Sequence, residues 1–171
     1  MTVKEICFSH GQESGPWGTK IKAMAEAARA AGWLVESLDY RGIEDPVARA
    51  DKLTDWCRSG HEGGVLAGSS MGGFVALAAA ARTEASGLFL LAPALYLPGY
   101  QKHLPKPPAC PTMIIHGWHD DVVPWDGSLR YGMETGAQLV LLDGDHRLTE
   151  NIRTITGLLT GFLDAVDTPV R

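Results

Sequence analysis

The residues best suited to chemistry stand together at Gly68-Ser69-Ser70-Met71-Gly72. A short apolar run, Val65-Leu66-Ala67, leads into them, and an apolar, alanine-rich stretch, Gly73-Phe74-Val75-Ala76-Leu77, leads away. That succession predicts strand, tight turn and helix. A serine at such a turn is held in a strained backbone conformation that pushes its hydroxyl outward. Bulky residues two positions to either side would collide, and Gly68 and Gly72 supply the room. The register selects Ser70 as nucleophile and leaves Ser69 as its neighbour. The competing reading is a glycine-rich turn that only permits close packing. A serine hydroxyl is a weak nucleophile and needs a base within hydrogen-bond reach, itself oriented by a third group. The pattern therefore gains meaning only if a histidine and an acid follow.

The elements that must position these groups read as an alternation. Val3 to Phe8 is a predicted buried strand, followed by a Gly/Pro-rich loop and a helix from Thr19 to Ala31 with Ile21, Ala25 and Ala28 near helical spacing. Trp33 to Leu38 is a second strand. Asp45 caps a helix with Pro46 at its first position, running to Arg58 with Val47, Ala50, Leu53 and Trp56 toward the sheet. The strand Gly64–Gly68 and a helix to Ala81 follow. Gly87–Leu91 is a continuous apolar run of the kind covered on both faces. From Ala92 to Cys110 five prolines exclude a long helix or interior strand, leaving a loop of the length usually found to be functional or mobile. Pro111–His116 is a strand, Trp125–Met133 a short helix and Gln138–Leu142 the last strand. A closing amphipathic helix spans Asn151–Val166, with Ile152, Ile155, Leu158, Leu159 and Phe162 on one side.

The expected architecture is an α/β three-layer sandwich with a mainly parallel sheet of about six strands, in one domain over residues 1–171. In such sheets, reactive groups gather in loops beyond the carboxyl ends of the strands. Ser9-His10-Gly11, Ser70, the Asp120 loop and His146 all fall there.

Composition narrows the function classes. A net charge of -5 with scattered basic residues argues against nucleic acid or an anionic membrane as partner. No apolar run approaches the roughly 20 residues needed to cross a bilayer, and the short apolar start is no signal peptide, so a cytoplasmic location is expected. Cys7, Cys57 and Cys110 lack the spacing of a zinc or redox motif; they read as reduced thiols, Cys7 as a core residue.

Four motifs in order carry a resemblance. His10-Gly11 follows the first strand; Gly68-x-Ser70-x-Gly72 forms the turn. Gly117-x-x-Asp120-x-x-Val123-Pro124 follows the penultimate strand, and Gly144-Asp145-His146 the last. The chain resembles the α/β-hydrolase superfamily across nearly its whole length, with the nucleophile, acid and histidine in that family's order. It is also similar to the small lidless esterases and thioesterases, chiefly in Ser9-His10-Gly11-x-x-Ser14-Gly15-Pro16 and Gly18-Thr19-Lys20. It opens at the strand equivalent to the family's third, and no cap domain interrupts Leu91 to Pro111, so an open site is expected.

The resemblance implies the roles. His146 is the best placed base, with His10 and His116, each ending a strand, as competitors; His61, His103 and His119 read as exposed. Asp120 fits as the acid. Asp121 falls on the wrong side of an extended loop, and Asp143 and Asp145 flank His146 and shape its turn. Ser70 would attack an acyl carbonyl, His146 would carry the proton and Asp120 would hold the imidazole. The backbone N–H groups of Gln12 and Met71 would form the oxyanion hole, each worth about 3 kcal/mol of barrier. Trp17, Leu95, Tyr96, Trp118 and Trp125 are candidates to contact the substrate, or ordinary packing. The implied partner is a small-molecule acyl substrate, cleaved at an ester or thioester without metal or cofactor. A peptidase or amidase of the same fold, or a non-catalytic binding protein, remain the alternatives.

Overall fold

The computed structural model describes residues 4–100 and 104–168. Val3, predicted to open the first strand, and His103, predicted to be exposed, lie outside the described residues.

Among the described residues, six strands and five helices follow in order, alternating except between β4 and β5: β1 (Glu5–Ser9), α1 (Thr19–Ala30), β2 (Leu34–Leu38), α2 (Pro46–Arg58), β3 (Val65–Ser69), α3 (Met71–Ala80), β4 (Gly87–Leu91), β5 (Thr112–Gly117), α4 (Trp125–Thr135), β6 (Gln138–Leu142) and α5 (Ile152–Asp167). A short helical turn, Thr149–Asn151, precedes α5. The strands form one sheet in the order β2-β1-β3-β4-β5-β6, and every pairing is parallel. Parallel pairing forces each connection to cross back over a face, so helices cover both sides and the central strands are apolar throughout. β3 and β4 are buried at every residue.

Alternation along each strand divides the core into two. Ile6, Phe8, Phe89, Leu91 and Ile115 pack with α1 and α5. Cys7, Leu66, Leu88, Leu90 and Ile114 pack with α2, α3 and α4. On the first side Phe89 and Phe162 meet at 5.7 Å between ring centroids. On the second, α2 is rotated from the predicted face: Arg49, Ala50, Leu53, Thr54 and Cys57 are buried, whereas Val47 and Trp56 are half-buried. The Asp45 carboxylate accepts from the Ala48 N–H at 2.8 Å, the N-cap that the sequence indicates.

The strand order creates the crevice. From β1 the chain moves outward to β2, then returns past β1 to β3, so the loops after β1 and β3 diverge at the carboxyl edge. The register pairs Ser9 with Gly68, Ser69 with Leu91 and Gly117 with Leu142, which brings the loops carrying the chemistry to one edge. Among the described residues between β4 and β5 there is no helix or strand. Ala92, Ala94 and Leu95 are buried, Tyr100 meets Phe74 of α3 edge-on at 5.2 Å, and Leu104 packs on the same core. No helix among the described residues is long and apolar enough to cross a membrane.

Candidate active site

Ser70 sits at φ +57° and ψ -121°, a conformation that an L residue adopts only when its surroundings impose it, at a cost of about 1–3 kcal/mol. The imposition is visible. Its N–H donates to the Leu91 carbonyl at 3.0 Å, and its carbonyl accepts from the N–H groups of Gly73 and Ala94, both at 3.0 Å. A Cβ at Gly72 would overlap the Ser9 carbonyl, and one at Gly68 the Gly72 carbonyl. Both glycines are thus required by close backbone approach, as the spacing predicts.

The hydroxyl projected from this turn meets His146. Ser70 Oγ lies 3.1 Å from His146 Nε2, and His146 Nδ1 lies 2.7 Å from Asp120 Oδ2. The other Asp120 oxygen accepts from the N–H groups of Val122 and Val123 at 2.9 and 2.7 Å. Burial pushes the Asp120 carboxyl upward, but the hydrogen bonds from His146, Val123 and Val122 outweigh it and leave its pKa below the ordinary value. An ionised carboxylate only accepts. His146 Nδ1 is therefore the donor, and its Nε2 lone pair faces the serine hydroxyl.

Two loops set this line of groups. The Trp118 N–H donates to the Leu142 carbonyl at 2.8 Å and the His119 N–H to the Gly144 carbonyl at 3.0 Å, prolonging the β5–β6 pairing past the strands. Asp145 shapes the turn after His146, its carboxylate accepting from the Arg147 and Leu148 N–H groups at 3.0 and 2.9 Å. Asp143 is exposed and pairs with the exposed His119 at 3.0 Å; Asp121 is exposed as well.

The competing histidines have other partners. His116, fully buried, places Nε2 3.0 Å from Asp120 Oδ2 and 2.9 Å from the Val123 carbonyl, and Nδ1 2.8 Å from Ser128 Oγ. Both neighbours of Nε2 are acceptors, so that nitrogen carries the proton and Nδ1 accepts from the Ser128 hydroxyl. Burial lowers the His116 pKa and keeps the ring neutral. His116 thus supports the carboxylate and does not face Ser70. His10 Nε2 accepts from the Tyr40 N–H at 2.9 Å, which makes Nδ1 the donor to the Gly11 carbonyl at 2.7 Å. His61, expected to be exposed, is half-buried: it stacks on Trp56 at 4.0 Å and binds Glu5 at 2.9 Å.

The loop after β1 runs beside the nucleophile. A Cβ added at Gly11 would stand 3.6 Å from Ser70 Cβ. Neither the Gln12 nor the Met71 N–H donates to a described protein acceptor. One neighbour escapes the sequence reading: the half-buried Lys20 donates to Ser69 Oγ at 3.1 Å. Burial lowers its pKa against the opposing pull of Asp145 and Asp120. The resemblance flagged Gly18-Thr19-Lys20, but nothing in that motif announces a contact 49 residues away.

The substrate-contact candidates divide. Trp118, 48% exposed two residues before Asp120, meets Trp125 edge-on at 5.0 Å. Trp17, 39% exposed, lies beneath the Arg29 guanidinium at 5.5 Å. Tyr96 donates its hydroxyl to Glu134 at 2.7 Å under the Arg130 guanidinium. Leu95 is 2% exposed within the α2–α3–α4 core, which corrects the expectation that it lines a pocket: its loop turns inward to support the serine turn. Two surface cavities, of about 180 and 120 Å³, are lined by residues of α2 and α3 with Pro105, and by the segment Pro107–Thr112 with the end of α4, away from Ser70. The cysteines are free, and burial raises all three thiols, those of Cys57 and Cys110 to about 11, so they are protonated at neutral pH.

Known proteins share this fold. No family model matches the chain. Among solved structures, a proposed hydrolase of the α/β superfamily from Xanthomonas campestris superposes with a TM-score of 0.86 at 29% identity, covering 96% of this chain and 99% of that one. An α/β serine hydrolase without a lid, also from Xanthomonas campestris, superposes at 0.79 with 21% identity over 98% and 83% of the two chains. Among curated sequences, the bovine mitochondrial palmitoyl-protein thioesterase ABHD10 is 31% identical over 74 residues, 40% of this chain. That match spans about a quarter of the relative's length, 24%. The fold is that of the α/β hydrolases. With no helix or strand between β4 and β5 among the described residues, the chain has the small, lidless form of that fold.

Proposed function

We propose that this hydrolase cleaves carboxylic esters or thioesters through an acyl-enzyme on Ser70. The observation that carries the reading is the unbroken line from Ser70 Oγ through His146 to Asp120, at 3.1 and 2.7 Å, with the donor and acceptor ends in the required order. Ser70 Oγ bonds to the substrate carbonyl carbon as its proton passes to His146 Nε2. The carbonyl π pair moves onto oxygen, where the Gln12 and Met71 N–H groups meet it. When that pair returns, the bond to the alcohol or thiol breaks, and the leaving group takes the proton from His146. Water then attacks the acyl carbon, giving one proton to His146; collapse returns that proton to Ser70 Oγ and releases the carboxylic acid. Asp120 stays ionised throughout and stabilises the imidazolium.

The open strand edge suits a small or accessible acyl group, and the thioesterase name of the curated relatives supports including thioesters. A fluorophosphonate probe tests the class: folded wild type labels at Ser70, and absence of labelling overturns the proposal. Ser70→Ala should abolish short-chain p-nitrophenyl ester turnover while the protein stays folded. A panel of acyl chain lengths and leaving groups, amides included, then ranks the substrates.

A further inference from the structure

Arg49 stands one residue before Ala50 on the inner face of α2 and is 2% exposed. No carboxylate among the described residues lies within ion-pair distance of it, and a buried cation without a counter-ion is costly. Its hydrogen bonds go instead to backbone carbonyls. Nε donates to Ile43 at 2.6 Å; Nη1 donates to Gly11 at 3.2 Å and reaches His10 at 3.5 Å; Nη2 reaches Gln12 at 3.5 Å. Three of the four acceptors are consecutive residues of the loop after β1. His10 Nδ1 and the Ser14 hydroxyl converge on the same Gly11 carbonyl, at 2.7 and 3.4 Å.

The peptide plane converts this grip into a direction. In a trans peptide, the carbonyl of one residue and the N–H of the next point opposite ways. Drawing the Gly11 carbonyl toward Arg49 and His10 therefore turns the Gln12 N–H the other way, on a loop whose Gly11 already stands against Ser70 Cβ. The Met71 N–H needs no such help, because the first turn of α3 fixes it.

We infer that Arg49 is the positioning residue of the oxyanion site, holding the Gly11–Gln12 peptide so that the Gln12 N–H faces the oxygen of the Ser70 adduct. The inference rests on the acyl-enzyme reading above. The cation also stands behind the peptide's carbonyl end, which polarises the bond and strengthens the N–H as a donor. Arg49 touches no reacting atom and acts only through the loop.

The test compares wild type with Arg49→Met and Arg49→Lys on an aryl ester and on the matching O-aryl thionoester. A thiocarbonyl sulfur accepts hydrogen bonds poorly, so an oxyanion donor matters less to the thionoester. Taking the ratio within one protein cancels general damage to the fold. Removing an oxyanion donor outright costs roughly 100- to 1,000-fold in kcat. Loosening one of two should cost Arg49→Met about 10- to 100-fold in kcat on the ester, with KM within about threefold and the ester-to-thionoester preference reduced about tenfold. Arg49→Lys keeps the charge without the fork and should fall between; it carries the test if Arg49→Met does not fold. A preference within about twofold of wild type, or a change in KM alone, overturns the inference. If Ser70→Ala retains turnover, the acyl-enzyme reading itself has failed, a result distinct from an Arg49 variant that behaves as wild type.

Discussion

Replacing Asp120 by asparagine should disable the site through a change of imidazole tautomer. One carboxylate oxygen accepts two backbone N–H groups, from Val122 and Val123, which only an oxygen can satisfy. The amide oxygen therefore takes that position, and the NH₂ falls where Oδ2 stood, 2.7 Å from His146 Nδ1 and 3.0 Å from His116 Nε2. His116 can keep its proton on the Val123 carbonyl at 2.9 Å. His146 has no second acceptor, so its Nδ1 must accept and its proton must move to Nε2. There it faces the Ser70 hydroxyl at 3.1 Å as a donor, and no base is left. The same exchange in a serine protease triad lowers kcat about 10⁴-fold. At about 1.36 kcal/mol per decade that is roughly 5.5 kcal/mol of transition-state stabilisation. Steady-state hydrolysis of a short-chain aryl ester measures the loss, and nitrogen NMR of the imidazole reads the tautomer. A variant within tenfold of wild type, with His146 Nε2 still unprotonated, would refute the reasoning and shift attention to another acid.

Four further outcomes follow from the packing and charge. Gly72→Ala drives a methyl into the Ser9 carbonyl and should destabilise the fold by about 3 kcal/mol, read by urea unfolding, and collapse ester turnover. His116→Phe keeps a flat ring, slightly larger, but strips Ser128 Oγ and Asp120 of a buried partner; a loss of about 1–3 kcal/mol in unfolding free energy is expected. Burial lowers the pKa of both His10 and His116 from 6.5, so the unfolded chain takes up protons first as the solution is acidified. Stability is then fully present above pH 6.5 and lost as pH falls through that value toward the folded-state pKa values, by up to about 1.4 kcal/mol per pH unit for each ring. Urea titrations from pH 7.5 to 5 check this, and a flat profile would contradict it. Lys20→Met removes a half-buried ammonium held by one hydroxyl and should raise Tm.

Local chemistry made much of the molecule legible along the chain. The N-cap at Asp45 and the glycine at position 68, set against the Gly72 carbonyl, respond to forces acting within a few residues, while the apolar run Gly87–Leu91 and Gly72, set against the distant Ser9 carbonyl, are legible as a local pattern and a motif spacing. The same holds for the order of Ser70, Asp120 and His146, because each stands just past a strand end and a parallel sheet sends all its strand ends to one edge. The loop from Ala92 gave only its negative side, that prolines bar regular structure. Its inward turn at Leu95 depends on filling a space between α3 and α4 that no local pattern describes.

What only the tertiary structure decided is which polar groups are buried together. In the sequence Arg49 and Lys20 are two of the scattered basic residues and His116 is a rival base. Folding buries Arg49 against the carbonyls of residues 10–12, sets Lys20 on Ser69 and turns His116 onto Asp120. Hydrophobic periodicity records which side of a helix meets the core, but a charged side chain can be buried wherever distant backbone supplies acceptors. The loop carbonyls that hold Arg49 and the Ser69 hydroxyl that holds Lys20 stand 37 to 49 residues away along the chain, a separation that only the closed sheet removes.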